Sequence, residues 1–141
     1  LAVEIFLQKR SNEEILLGVS LFAIDSKKVF DKNCAGCHNM TIGKKEALAN
    51  FDKLAAPPML DMVNRIKEGV SVKNGDREQH RAVVVGFIQE YVKRPDLMRS
   101  FCSPVALDQF GVMPAITHLG EKELHTVAEW LYDFTEGRKF E

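Results

Sequence analysis

DSKKVFDKNCAGCH, residues 25–38, is the stretch on which the reading of this chain turns. Asp25 or Ser26 carries the short polar side chain that caps a helix N-terminus. Val29, Phe30 and Asn33 follow at helical spacing, so a helix is predicted that runs directly into Cys34-Ala35-Gly36-Cys37-His38. Two thiols three positions apart, with an imidazole beside the second, form a compact donor set of the pattern C-x-x-C-H.

Each residue type in that pattern has a reason in covalent haem attachment. Two thiols add across the vinyl groups of a porphyrin to form thioethers, and the adjacent imidazole reaches the iron as proximal ligand. Three other readings stand beside it. A thioredoxin-like redox motif belongs after a strand in a βαβ unit, and no strand pattern precedes Cys34. A zinc centre would recruit Cys34, Cys37, His38 and the distant Cys102, but the usual second pair of ligands at short spacing is missing. A plain disulfide between Cys34 and Cys37 is the third. With Cys102 the cysteine count is odd, which sets one pair apart from a pure disulfide framework. The position of the motif at the end of an amphipathic helix favours haem.

Working outward, 141 residues with 45% hydrophobic content suit one domain with one core. A formal net charge of −1 excludes the strongly basic surface of a nucleic-acid binder, so no nucleic-acid partner is expected. The apolar run ILLGVSLFAI, residues 15–24, is too short to span a bilayer. Its length matches a signal-peptide core, but Glu13 and Glu14 stand where such a peptide is basic. The absence of an initiator Met leaves room for an upstream signal already removed. The run reads as a buried helix opened by a capping box of Ser11 and Glu14.

Beyond His38, Pro57 and Pro58 can open a helix in which Met59, Met62, Val63 and Ile66 share a face and Gly69 is the stop. SVKNGD, residues 71–76, has turn chemistry. A helix carrying Val84, Phe87, Ile88, Tyr91 and Val92 follows and ends at Pro95. A short helix is expected around residues 105–110. The last, over residues 121–136, aligns Leu124, Val127, Ala128, Leu131 and Tyr132, with Gly137 as its glycine cap. The charged residues 44–46 read as solvated surface. The fold class is all-α, with about five helices and no sheet.

A second iron ligand is sought among five methionines. Met40 lies too close to His38 to cross to the opposite haem face. Met59 and Met62 sit on a helical face and read as core residues. Met98 follows Pro95 in a loop and is a weak candidate. Met113, in Phe110-Gly111-Val112-Met113-Pro114, lies in an irregular segment before the last helix, where the following proline stiffens the backbone. It is the candidate ligand. His80, His118 and His125 read as surface or half-buried residues; His118 is the most interesting because it follows the Met113 loop closely. Cys102 reads as a small buried hydrophobe.

Taken together, Cys34 to His38, the Pro57–Pro58 pair and Met113 followed by Pro114 resemble a class I monohaem cytochrome c of the bacterial, periplasmic type. The resemblance spans about residues 26–134. It implies a cytochrome c-like helical fold around one covalently bound haem c, with residues 1–24 as an N-terminal extension packing on the core and residues 25–141 as the cytochrome c domain. It also implies an aromatic contact between Phe30 and a face of the last helix containing Trp130, Leu131 and Tyr132. Pro57, with Pro58 as the alternative, would offer its carbonyl to the proximal His38. The spacing from His38 to Met113 is longer than in the smallest bacterial members, and the first 25 residues or so have no counterpart in the core pattern.

The expected function is therefore electron transfer, not catalysis, by a haem iron ligated by His38 and Met113. Its partners would be redox proteins, in the periplasm, with no membrane span in this chain. A haem-based gas sensor, a catalytic haem protein and a cytochrome subunit of a larger redox complex are the rival readings.

Overall fold

Asp25 starts the first described helix: its carboxylate accepts a hydrogen bond from the Lys28 amide at 3.2 Å, leaving Ser26 as the first helical residue. The computed structural model describes residues 23–141. The helix expected over the apolar run, and the packing expected of the N-terminal extension, lie for residues 1–22 outside the described residues. Among the described residues six α-helices follow in order: α1 Ser26–Asn33, α2 Lys44–Ala49, α3 Met59–Gly69, α4 Arg77–Lys93, α5 Pro104–Phe110 and α6 Glu121–Phe134. Two short 3-10 turns, Phe51–Lys53 and Leu97–Arg99, lie between them, and no strand occurs among the described residues. The all-α expectation holds.

Local chemistry sets most of these boundaries. Pro58 is the residue before α3, where a missing backbone N–H costs nothing. Asp76 opens α4 with a reciprocal box, its carboxylate accepting from the Gln79 amide at 2.9 Å while Gln79 Oε1 accepts from the Asp76 amide at 2.9 Å. Ser103 caps α5, with Pro104 in its first turn. α4 ends at Lys93, since a proline at 95 denies helical geometry to Arg94. Gly137, just beyond α6, has φ +70°, the left-handed conformation a helix terminator uses.

α6 is the wall shared by two apolar clusters. Val127 and Leu131 pack with Phe30 of α1 and with Met59 and Val63 of α3. Ala128 and Tyr132, one position further round the helix, pack with Ile66 of α3 and with Val84, Val85 and Ile88 of α4. Phe30 meets Trp130 at 5.4 Å between ring centroids. Tyr132 does not join that contact: each helical residue turns about 100°, so Trp130 and Tyr132 leave α6 on opposite sides. Gly69, at the end of α3, is where the ring of Phe101 comes down, and a methyl group there would collide with it.

An exposed polar seam reinforces the α4–α6 contact. Arg81 donates to both carboxylate oxygens of Asp133, at 2.9 and 2.8 Å, and to Glu129 at 2.7 Å. Arg77 makes a second fork, onto Glu136. These hydrogen bonds hold both the Asp133 and Glu136 carboxyls below their ordinary range.

The short helix α2 was not expected. Its charged residues 44–46 are exposed, as read, but they are helical, and Ala47 alone is buried there. Six residues with a single apolar anchor leave no period to read.

Two outcomes test this packing. Phe30, 2% exposed, is the anchor of α1, and Phe30→Ala is expected to cost about 3–5 kcal/mol in a urea unfolding titration. The carboxylates of the seam have depressed folded pKa values, so their contribution is present above the unfolded values, 3.8 for Asp133 and 4.5 for Glu136, and is lost as pH falls through the folded ones. Arg81→Leu should therefore lose about 1 kcal/mol of stability at neutral pH and show a smaller further loss than the parent at about pH 3.

Candidate functional site

The C-x-x-C-H segment leaves the end of α1 as a tight turn. The amides of Cys34 and Ala35 both donate to the Phe30 carbonyl, at 2.8 and 3.0 Å, and those of Cys37 and His38 to the Cys34 carbonyl, at 3.2 and 2.8 Å. With Phe30 buried beneath α6, this chain of backbone bonds dictates where both thiols and the imidazole emerge. Cys34 is half-buried and packs on the Phe30 cluster, whereas Cys37 is exposed. Burial pushes the Cys34 thiol up to about 11, so it stays protonated and a poor nucleophile in the folded chain without further activation.

His38 is held from the other side of the loop. Its Nδ1 lies 2.8 Å from the carbonyl oxygen of Pro57, while the amide of Met59 donates to the Asn39 carbonyl at 2.9 Å. Of the two prolines it is Pro57 that faces the ring. A carbonyl oxygen can only accept, so Nδ1 carries the proton and Nε2 keeps its lone pair. Burial lowers the His38 pKa, a shift that the Pro57 bond opposes without cancelling. Burial thus keeps the imidazole neutral, while the Pro57 bond fixes its orientation and leaves one nitrogen free to bind a metal. Asn39, which sequence reasoning passed over, organises the turn after His38: its Oδ1 accepts from the amides of Thr41 and Ile42, both at 2.8 Å. The tendency of an asparagine side chain to hydrogen-bond the backbone two residues on, here at Thr41, is the turn signal that could have marked it.

Met113 lies half-buried in the irregular stretch between α5 and α6. Gly111, at φ +67°, turns the chain out of α5, and beyond Met113 the Ile116 amide donates to the Val92 carbonyl at 2.9 Å. His118 Nε2 lies 2.7 Å from Asn33 Oδ1, which brings this loop against the end of α1, one residue before Cys34. The other methionines are placed differently. Met59 is core, Met40 packs against the Phe30 cluster, and Met98 is 89% exposed. Met62 accepts from the thiol of Cys102 at 3.4 Å between sulfurs, so the half-buried Cys102 thiol is directed at a thioether.

The remaining histidines have partners of their own. His80 donates from Nε2 to the Lys67 carbonyl at 3.0 Å, and its Nδ1 accepts from the Tyr132 hydroxyl at 2.8 Å. His125 bonds Gln89 and lies 3.1 Å from Glu129. Among the described residues no three His, Cys, Asp or Glu side chains gather into a metal cage. The helical approach to Cys34 differs from the strand that a thioredoxin-like motif follows. None of the helices among the described residues is long and apolar enough to cross a membrane.

The chain is similar to a protein of Aquifex aeolicus (strain VF5) that carries the description "Uncharacterized protein". The two are 31% identical over 134 aligned residues, which cover 84% of this chain and 82% of the relative. This chain belongs to the family of that Aquifex protein. No family model matches it, and no solved structure matches it.

The tautomer of His38 is directly measurable. In the apoprotein at neutral pH, the ring nitrogens should show Nδ1 protonated and Nε2 unprotonated by 15N NMR. Because the folded pKa is depressed, the native state takes up this proton later than the unfolded chain. His38 therefore adds stability above the unfolded value of 6.5, and that contribution drains away as pH falls through the folded one. A His38 ring protonated on Nε2 at neutral pH would contradict the Pro57 bond.

Proposed function

We propose that this chain is a class I cytochrome c: an electron carrier, not an enzyme, with one haem c attached through Cys34 and Cys37 and its iron ligated by His38 and Met113. The observation that carries the reading is the His38–Pro57 bond beside two free thiols. In an imidazole that burial keeps neutral, this bond leaves Nε2 unprotonated and fixes the ring beside Cys34 and Cys37. That donor set fits a covalently attached haem, which needs two thiols on one turn and one oriented nitrogen donor.

A haem held there supplies a one-electron ferric/ferrous couple. The chain's own residues do the rest. Cys34 and Cys37 anchor the macrocycle, so that it cannot dissociate. The Pro57 carbonyl holds the imidazole in one orientation and raises its donor strength. Met113 contributes a thioether, a soft neutral donor that favours the reduced state and raises the potential. Phe30, Met59, Val63 and Leu131 keep water from the region behind Cys34. A haem iron bound by both His38 and Met113 would have no position left for a substrate, which would separate a carrier from a haem sensor or a haem enzyme. Attachment of this kind places the protein in the periplasm, where donor and acceptor redox proteins, or a larger redox complex, would be its partners.

Visible absorption spectra of the protein co-expressed with haem c maturation machinery test the reading. Narrow ferrous bands of haem c, a ferric Met-to-iron charge-transfer band and no response to carbon monoxide are expected. Met113→Ala should lose the charge-transfer band, bind carbon monoxide in the ferrous form and show a lower potential. A parent that binds carbon monoxide readily would move the function to gas sensing or catalysis, and a parent with no haem would end the proposal.

A further inference from the structure

The loop that carries Met113 has no regular secondary structure, and the hydrogen bonds that hold it come from elsewhere in the fold. At its far end His118 Nε2 reaches Asn33 Oδ1 at 2.7 Å, across 85 positions of sequence. Asn33 is the last residue of α1 and directly precedes Cys34. Its Nδ2 donates to the Val29 carbonyl at 2.8 Å, which uses the donor side of the amide and turns the oxygen toward the loop. His118 must therefore be the donor, through Nε2–H. One side-chain bond thus joins the Met113 loop to the helix that carries the attachment cysteines.

We propose that His118 is a positioning residue: its bond to Asn33 holds the Met113 loop against the attachment helix and so sets how firmly Met113 stays on the iron. This inference rests on the reading of Met113 as an iron ligand. The mechanism is a competition. For an exogenous base to take the sixth position, Met113 must leave, and its loop must shift from α1. The Ile116–Val92 bond anchors the same loop to the end of α4, so the His118 bond supplies the tether on the α1 side. A net hydrogen bond of ordinary strength then opposes Met113 release by about three- to tenfold.

The experiment is an imidazole titration of the ferric holoprotein for the parent, His118→Ala, His118→Gln, Asn33→Ala and the double variant His118→Ala/Asn33→Ala. The charge-transfer band, the potential and thermal unfolding are recorded alongside. His118 is exposed, so its removal should leave the fold intact. The expected result for His118→Ala is a three- to tenfold gain in imidazole affinity with a weaker charge-transfer band. The Gln variant, whose amide N–H can still donate to Asn33, should return toward the parent, and the double variant should be no worse than either single one. Parent-like imidazole affinity in His118→Ala, no rescue by Gln, or additive losses in the double variant would each overturn the inference. A parent that shows no Met-to-iron band instead removes the reading of Met113, and this inference with it.

Discussion

Phe30 cannot leave the underside of α6 without dragging the whole candidate site with it. Its ring is buried against Val127, Leu131 and Trp130, and its carbonyl accepts the amides of both Cys34 and Ala35. Helix α1 is only eight residues long, too short to persist alone in water. Burial of this one aromatic, rather than helix propensity, holds the turn of Cys34 to His38 in place. Loss of an aromatic anchor of this size is of the order of a large fraction of a small domain's net stability.

From that anchor the remaining contacts follow in sequence. His38 emerges facing the Pro57 carbonyl, and the Asn39–Met59 backbone bond closes the intervening loop. Pro57 and Pro58 are themselves buried, so the carbonyl that orients the imidazole sits on a segment with little freedom. α3 then runs from Met59 beneath α1 and α6, and its terminal Gly69 admits Phe101 from the loop that follows α4. α4 is locked to α6 by apolar packing inside and by the Arg77 and Arg81 forks outside. The end of α4 in turn holds the Met113 loop through Val92.

Features set by neighbours in the chain were legible; features set by partners far away were not. The Asp25 cap, the Pro58 start, the Gly69 stop, the turn at Asn74 and the Gly137 cap each depend on residues within a few positions, so the local code suffices. Leu124, Val127, Ala128 and Leu131 follow the helical period and are indeed buried. The periodicity did not reveal that Val127 and Ala128 serve different clusters, because a stripe says which face is inward and not what lies opposite. The partners of Asn33, His80 and Cys102 lie 85, 52 and 40 positions away, and only tertiary structure brings them together. The Pro57–His38 contact was anticipated from the resemblance; the residues alone do not contain it.

The two sides of the candidate site are held by different means. His38 is tied by one bond to the main chain of a buried proline segment, while the Cys34 and Cys37 turn is tied by backbone bonds to α1. None of these contacts depends on an exposed side chain. Met113 instead rides on a loop that starts at a glycine in the left-handed region and, among the described residues, is held by one backbone bond and one exposed histidine. Local opening free energies fall where exposed bonds outnumber buried contacts. On the proposed reading, the proximal side is therefore the invariant reference for the iron and the Met113 side is where its ligation can be tuned. A carrier of the proposed kind would gain from that division: a fixed imidazole would keep reorganisation small, while the loop's tethers would set the strength of the thioether bond and, through it, the potential.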